Sequence, residues 1–389
     1  MDKLRLAFYS DTYSPAVDGV VISILNFKKE LEKRGHKVYI FASGDSNAQR
    51  KFSSKDTFIS RGIRFNPYPQ YRVALFPYTS ILKLNALKVD LIHAHTPFSM
   101  GMAALAIAKL GRYPLAGTFH TMINNKQIVD AYYAKNKFLR EMTSKYMCKY
   151  AVFFYKQCNT TIVPSESIKK LMANAGVENI HVVPNSVDVH AFNPNVDGSS
   201  TRKKLGLSNR DKVILYVGRT SKEKRLEDLL KAVKVLSSKD NRIKLVIAGA
   251  GPALDHYKHL AVKLGIGNST KFLGMVPHDK LPEIYAMSDV FSIPSTFETQ
   301  GIVALEAMAS GKPVVGANYL ALKELIQSGV NGEKFDAGDY KGCAKQLTKV
   351  LNNSSTYNKG AVKTAQEFSI ERTTDKLINA YRLLLSETR

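Results

Sequence analysis

The sequence predicts an α/β protein built from two Rossmann-like β/α/β domains, and three observations predict it. At 389 residues the chain exceeds what one ordinary hydrophobic core serves, so two domains of near-equal size follow. Short apolar runs such as Leu4–Phe8, Val38–Ala42, Val213–Val217 and Val290–Pro294 read as buried parallel strands. After several of them comes a polar turn and then apolar residues at helical spacing, stopped by glycine or proline. In open parallel sheets ligands bind outside the carboxyl ends of the strands, so the post-strand loops are where chemistry is sought.

Bulk properties narrow the function. No apolar run is long enough to cross a bilayer, and Met1–Arg5 leads straight into a strand instead of a signal peptide, which predicts a cytoplasmic chain. Cys148, Cys158 and Cys343 have no zinc-type spacing and are too few for a disulfide framework, so reduced thiols are expected. With no Asp-x-Asp and no His-rich cluster, neither a metal nor a cofactor is expected. The net charge is +23; residues 1–180 hold 26 Lys and Arg against 12 Asp and Glu, so the excess leans to the first half. A nucleic acid, an anionic membrane surface or an anionic small molecule would each meet such a half, and a plain solubility surplus is the bland alternative.

In chain order, the strand Leu4–Phe8 runs into Ser10–Val20 and then an amphipathic helix, roughly Val21–Arg34, before the strand Val38–Ala42. Gly19 allows close backbone approach, and the helix N-terminus behind it favours a phosphate, although a structural turn explains the same pattern. Between Gly62 and Lys88, Arg64, Arg72 and Lys83 alternate with Phe65, Tyr68, Tyr71, Phe76 and Tyr78. Cations beside amphipathic rings suit lipid headgroups or single-stranded nucleic acid, and three prolines suit an irregular surface loop. Asp90–Pro97 is a buried strand ending in two histidines, and in Tyr113–Thr121 His120 terminates an apolar strand at the carboxyl edge. From Lys126 to Asn159, Lys135, Lys137, Arg140, Lys145 and Lys149 interleave with aromatics at helical spacings. That pattern suits a helix lying on a membrane, with part of the stripe given to core packing.

Thr160–Ser165 and His181–Asp188 read as strands closing the first domain, and Asn193–Ser200 as part of a linker. The second domain opens on Val213–Val217. Gly218 permits a tight turn there, and Arg219 and Lys224 bring two cations to the carboxyl edge, an arrangement suited to a pyrophosphate. Lys271–Val276 is a further strand and turn. In Phe297–Pro313 a polar turn leads into a helix from Gly301, with Glu298 in the turn and Glu306 eight residues on. That spacing is about two helical turns, so both carboxylates would share a face; two solvated glutamates on a capped surface helix are the alternative.

The Glu298 to Glu306 stretch resembles the Glu-x7-Glu signature of retaining, nucleotide-sugar-dependent glycosyltransferases of family four, which share the two-domain GT-B fold. Thr299-Gln300-Gly301 keeps the family's glycine and puts Gln300 where phenylalanine is common, a departure that bears on the sugar. Gly218-Arg219 with Lys224, and Phe119-His120-Thr121, match further family elements, so the resemblance covers nearly the whole chain. Ser10–Pro15, Asp18–Val21, His95–Ser99 and Phe119–Met122 look like the diacylglycerol glucosyltransferases that build membrane glycolipids.

The resemblance implies the following. Two sheets face each other across a cleft, and the last helix, within Ile370–Leu385, returns to the first domain. Residues 1–190 form an acceptor- and membrane-facing domain, 191–370 the donor domain, and 371–389 the returning helix. His120, Arg219, Lys224 and Glu298 are catalytic. Gly19, Gly218, Val276, Thr299, Gln300, Gly301, Ile302 and Glu306 bind the donor, Glu306 through the ribose. Arg72, Lys135, Lys137, Arg140 and Lys145 face the membrane and acceptor. A retaining, metal-independent hexosyltransferase is expected, moving glucose from UDP-glucose to a lipid hydroxyl such as that of diacylglycerol, while bound peripherally to the inner face of an anionic membrane. Alternatives are GDP-mannose or UDP-GlcNAc as donor, a phosphoinositide or soluble sugar-phosphate or polysaccharide acceptor, or a nucleotide-sugar epimerase. No established nucleic-acid motif is present.

Overall fold

The computed structural model describes residues 3–16, 18–64, 72–75, 77, 80–120 and 137–388, with side chains described except at 80, 81 and 137–144. The chain divides into two compact units, Met1–Ser186 with Ile370–Arg389, and Val187–Ser369. Each is built around one largely parallel sheet.

In the first unit the strands are β1 (Arg5–Ser10), β2 (Lys37–Gly44), β3 (Thr57–Arg64), β4 (Arg72–Ala74), β5 (Leu91–Ala94), β6 (Leu115–Thr118), β7 (Thr160–Val163) and β8 (Ile180–Val182). They lie side by side in the order β4-β3-β2-β1-β5-β6-β7-β8, all pairs parallel except β3 with β4. The order reverses between β1 and β5, so the crevice outside their carboxyl ends is the topological switch point. The segments that leave it include 11–16, 95–98 and 119–120.

The closing helix, Ile370–Thr388, belongs to this first unit. Leu377, Ile378, Tyr381 and Leu384 are buried there with Phe8 of β1, Ile40 of β2 and Ile24, Phe27 and Leu31 of the helix Gly19–Lys33. Each such side chain removed from water contributes roughly 1.5–3 kcal/mol. Arg34 fixes the crossing, giving one N–H to the Glu371 carbonyl at 2.9 Å and another to the Asp375 carboxylate. This is the return that the family resemblance implied.

The second unit contains β9 (Lys212–Val217), β10 (Ile243–Ala248), β11 (Thr270–Gly274), β12 (Val290–Ile293), β13 (Val314–Ala317) and β14 (Gly332–Phe335). Their order, β11-β10-β9-β12-β13-β14, is the doubly wound dinucleotide-fold order, with the switch point between β9 and β12. Continuous burial of Val213–Val217 and Val290–Ile293 is what a sheet covered on both faces demands.

Three local expectations are corrected. The irregular surface loop offered as an alternative over 62–88 does not hold throughout: β3 and β4 pair antiparallel with Ile63 opposite Val73, and a helix spans Ser80–Leu87. The polar segment 193–200 lies inside the second unit: a side chain at Gly198 would come within 2.3 Å of the Met287 backbone. The strand expected over 181–188 ends at Val182.

Candidate active site

In the second unit the site is made by three strand tips stitched through their backbones. Gly218, at φ +146, turns the chain off β9, and its N–H donates to the Ala248 carbonyl at 3.0 Å. A Cβ at Gly249 would sit 1.8 Å from the Gly218 carbonyl oxygen, and one at Gly251 would sit 2.6 Å from that of Thr220, so both positions require glycine. Thr220 N–H to the Ala250 carbonyl (3.1 Å) and Gly249 N–H to the Gly274 carbonyl (2.7 Å) complete the stitching of β9, β10 and β11. Val276, just beyond β11, packs half-buried on the core while Met275 beside it is exposed.

The same turn carries Arg219 and Lys224. The buried Tyr216 hydroxyl donates to the Arg219 carbonyl at 2.9 Å, holding the backbone of that turn. Lys224 ends a 3-10 turn, Lys222–Lys224, that opens the helix Leu226–Ser237. Its Nζ donates to Glu298 Oε1 at 2.7 Å, with the two side chains only 20% and 14% exposed. The pair therefore joins the loop after β9 to the loop after β12, the two strands that flank the switch point.

The carboxylates are placed differently from the spacing argument. The helix covers Ile302–Ala309, entered through Gly301 at φ +87, so Glu298 lies in the preceding turn and helical periodicity does not relate it to Glu306. That turn is closed by Phe297 N–H donating to Ser295 Oγ at 3.1 Å, with Gln300 buried and Thr299 half-buried. Glu306 is on the helix and 3% exposed. It accepts a hydrogen bond from the Tyr285 hydroxyl at 2.8 Å and lies 3.5 Å from His278 Nε2. Glu306 beside it pushes the His278 imidazole up, against the effect of burial. Neither glutamate is a solvated surface group, which removes that alternative.

In the first unit the helix N-terminus behind Gly19 is already served by the protein. Asp18 Oδ1 accepts from the N–H groups of Val20 and Val21, both at 2.9 Å, while Oδ2 accepts from Thr12 Oγ1. A phosphate at this helix end would share the terminus with that carboxylate, which already caps Val20 and Val21. Asp11 does the same for the helix Ser99–Gly111, accepting from Met100 N–H at 2.9 Å and Thr96 Oγ1 at 2.6 Å. Burial pushes both aspartates up, opposed by those hydrogen bonds.

Three imidazoles gather at the carboxyl ends of β5 and β6: His93 on β5, His95 just after it and His120 after β6. His93 points into the core, with Nδ1 2.6 Å from the Tyr381 hydroxyl and Nε2 2.6 Å from Thr118 Oγ1. His95 Nδ1 lies 3.2 Å from His120 Nε2, the rings 5.5 Å apart and 20° from parallel. Burial holds His93 and His120 down to about 3, and lowers His95 well below the ordinary value with help from both neighbours, so all three are neutral.

Of the basic positions expected to face a membrane, Arg72 is engaged within the first unit. It pairs with Asp45 at 2.7 Å and is partly buried, because β4 lies in the sheet and not on an open loop. Lys135 lies outside the described residues, and Lys137 and Arg140 stand on the helix Lys137–Lys156 with side chains outside them. Lys145, Tyr146, Lys149 and Phe153 are exposed along that helix, whereas Phe154 and Tyr155 are buried, dividing the aromatic stripe between surface and core. Among the described residues no group of three or more His, Cys, Asp or Glu could hold a metal ion, and no helix is long and apolar enough to cross a membrane.

Comparison with known proteins decides the family. The model for Glycosyltransferase Family 4 matches residues 17–191, and that for Glycosyl transferases group 1 matches residues 198–367. The alpha-monoglucosyldiacylglycerol synthase of Streptococcus pneumoniae is 32% identical over 85% of this chain and 74% of its own. The chain belongs to glycosyltransferase family four. This glycosyltransferase is also 30% identical to the sulfoquinovosyl transferase SQD2 of Arabidopsis thaliana, over 93% of the chain and 70% of that protein. Its GT-B fold matches the crystal structure of Anabaena HepE in complex with UDP and glucose, with a TM-score of 0.78 at 21% identity over 98% of this chain and 100% of the other. Sequence reasoning missed Tyr285 and His278, which hold Glu306, and Asp11. Nothing in an apolar helix such as Leu281–Ala286 marks one tyrosine as a carboxylate partner, whereas the His93-x-His95 spacing was a signal for His95.

Proposed function

We propose that this enzyme is a retaining, metal-independent glycosyltransferase that moves glucose from UDP-glucose to the free hydroxyl of diacylglycerol while held on an anionic membrane surface. The observation that carries the donor reading is the Lys224–Glu298 ion pair at the switch point of the second unit, with Arg219 on the same turn. A departing diphosphate needs fixed positive charge where its own charge grows, and a cation held rigidly in a partly desolvated site supplies it without reorganisation. Arg219 and Lys224 are assigned to the diphosphate, Glu298 and the backbone of Thr299, Gln300, Gly301 and Ile302 to the sugar hydroxyls, and Glu306 to the ribose. Gly218 and Val276 border the nucleotide, and His120 contacts the transferred sugar. No further carboxylate is assigned as a covalent nucleophile, so the lipid hydroxyl attacks the face the diphosphate leaves, its proton passing to a leaving phosphate oxygen.

The acceptor is supported by the pneumococcal relative, whose name specifies monoglucosyldiacylglycerol, and by the motifs of the first half. Peripheral attachment is supported by the exposed Lys145, Tyr146, Lys149 and Phe153, whose cations and rings suit an anionic headgroup layer. The sulfoquinovosyl transferase makes the sugar the part most in need of a direct test. The purified chain is incubated with labelled UDP-glucose and, separately, other nucleotide sugars, with vesicles containing diacylglycerol and phosphatidylglycerol, before and after chelation. An α-linked glucolipid formed from UDP-glucose with chelator present is the expected product. A β-anomer, transfer only to soluble acceptors, or turnover only with another donor overturns the corresponding part.

A further inference from the structure

We propose that His95 is a positioning residue that donates a hydrogen bond from Nδ1 to His120 Nε2 and thereby fixes His120 as the tautomer protonated on Nδ1.

The two nitrogens are 3.2 Å apart and share one proton, so one ring must donate and the other accept. His95 decides which. It is 1% exposed, and its other nitrogen, Nε2, is buried with no hydrogen-bond partner. The neighbouring rings offer none: Phe8 lies 4.6 Å away, and His93, 4.0 Å away, has both nitrogens engaged by Tyr381 and Thr118. If His120 donated, the neutral His95 would carry its proton on Nε2 and bury an N–H with nothing to receive it. If His95 donates, only a lone pair is orphaned. Orphaned buried N–H groups are the rarer of the two in folded proteins. The pocket keeps both rings neutral, so a doubly protonated imidazole does not enter the balance.

His95 is placed for this by the sheet. It follows β5 by one residue, its N–H held by the Tyr9 carbonyl at 2.8 Å, and His120 follows β6, which pairs with β5 in register. The consequence, which rests on the assignment of His120 to the transferred sugar, is that the His120 ring carries its proton on Nδ1 and has no unengaged nitrogen left to act as a base beside that sugar.

The test uses the full chain labelled with 15N-histidine, in which two-bond proton–nitrogen correlations report the protonated nitrogen of each ring. His120 is assigned by the signal lost in His120→Gln. The expected wild-type spectrum has His120 protonated on Nδ1 and bare on Nε2. His95→Phe keeps the ring volume and removes the donor, so His120 should move toward the Nε2–H form. His95→Asn places its amide where Nδ1 stood and should restore the wild-type pattern. With UDP-glucose and diacylglycerol, His95→Phe should lower kcat roughly ten- to a hundredfold at nearly unchanged donor KM, with Asn recovering most of it. A wild-type His120 protonated on Nε2, or the same His120 tautomer in His95→Phe as in wild type, overturns the proposal. The spectrum needs no turnover, so failure of the proposed reaction is seen separately from failure of this inference. Should His95→Phe not fold, the wild-type spectrum alone decides.

Discussion

The Tyr381 hydroxyl lies 2.6 Å from His93 Nδ1, joining the closing helix to β5 in the interior of the first unit. Both side chains are fully buried, and the other His93 nitrogen is taken by Thr118. Tyr381→Phe keeps the ring and leaves an imidazole nitrogen unsatisfied, so it should destabilise the first unit by about 1–3 kcal/mol. Tyr381→Ala adds a cavity and should cost about 3–5 kcal/mol. Urea unfolding read by a probe in the first unit checks both, and a Phe variant as stable as wild type contradicts the bond's contribution.

Acid should weaken the first unit earlier than carboxylate titration would. An unfolded chain protonates its histidines as the pH falls through about 6.5, whereas His93 and His120 resist protonation in the fold down to about 3. Their effect is absent above about 6.5, and stability falls as the pH drops below it, by up to about 1.4 kcal/mol per pH unit for each ring. Asp11 and Asp18, raised by burial, act with the opposite sign, since the folded state takes up their protons first. Urea midpoints at pH 8, 7, 6 and 5 should be level and then decline, with a flat series counting against neutral buried rings.

Removing the Lys224 charge should strike the chemical step. Lys224→Met is expected to lower kcat about 10²–10³-fold, as for loss of one preorganised donor to developing charge. Because Lys224 and Glu298 are in direct contact, their combined effects should depart from additivity by about 0.5–3 kcal/mol. Additive losses in a double-mutant cycle on kcat/KM would show that the ion pair plays no joint role.

Glu306 should act through binding. Glu306→Gln and, more mildly, Tyr285→Phe are expected to raise donor KM with kcat within about threefold of wild type, the signature of an interaction made equally in ground and transition states. Michaelis kinetics with variable UDP-glucose read this directly. A fall in kcat at constant KM would move Glu306 from the ribose to the reacting centre.

Lys145 and Lys149 should contribute to membrane attachment at about 1 kcal/mol each, so replacing both by alanine should weaken partition onto phosphatidylglycerol vesicles by about tenfold or more. Sedimentation with anionic and with neutral vesicles separates this from a loss of folding. Equal binding of wild type and variant assigns attachment to another surface.

The strand tips were legible because burial on both sheet faces leaves continuous apolar runs, and Gly218 with Arg219 and Lys224 marks a turn that carries charge. Glu298 and Glu306 were legible as a pair but not in their geometry. Spacing assumes one helix, and the positive φ of Gly301 breaks the chain between them. At the helix behind Gly19, Asp18 caps Val20 and Val21 while Thr12 holds its other oxygen, a contact that no periodicity encodes. Arg72 looked like a surface cation because its partner, Asp45, is 27 residues away in sequence. β3 and β4 escaped notice because Ile59 and Ala74 are their buried apolar residues, so neither strand carries the continuous apolar run that marks the interior strands.

Placing residues 370–388 inside the first unit sets an order of events during synthesis. Chains emerge from the ribosome amino end first, yet Leu377, Ile378, Tyr381 and Leu384 are made only after all of Val187–Ser369. The half that is born first must wait with an apolar face uncovered until residues 370–388 have emerged. Its sister half, continuous in sequence, has every contact it needs earlier and can be complete while the older one is still open.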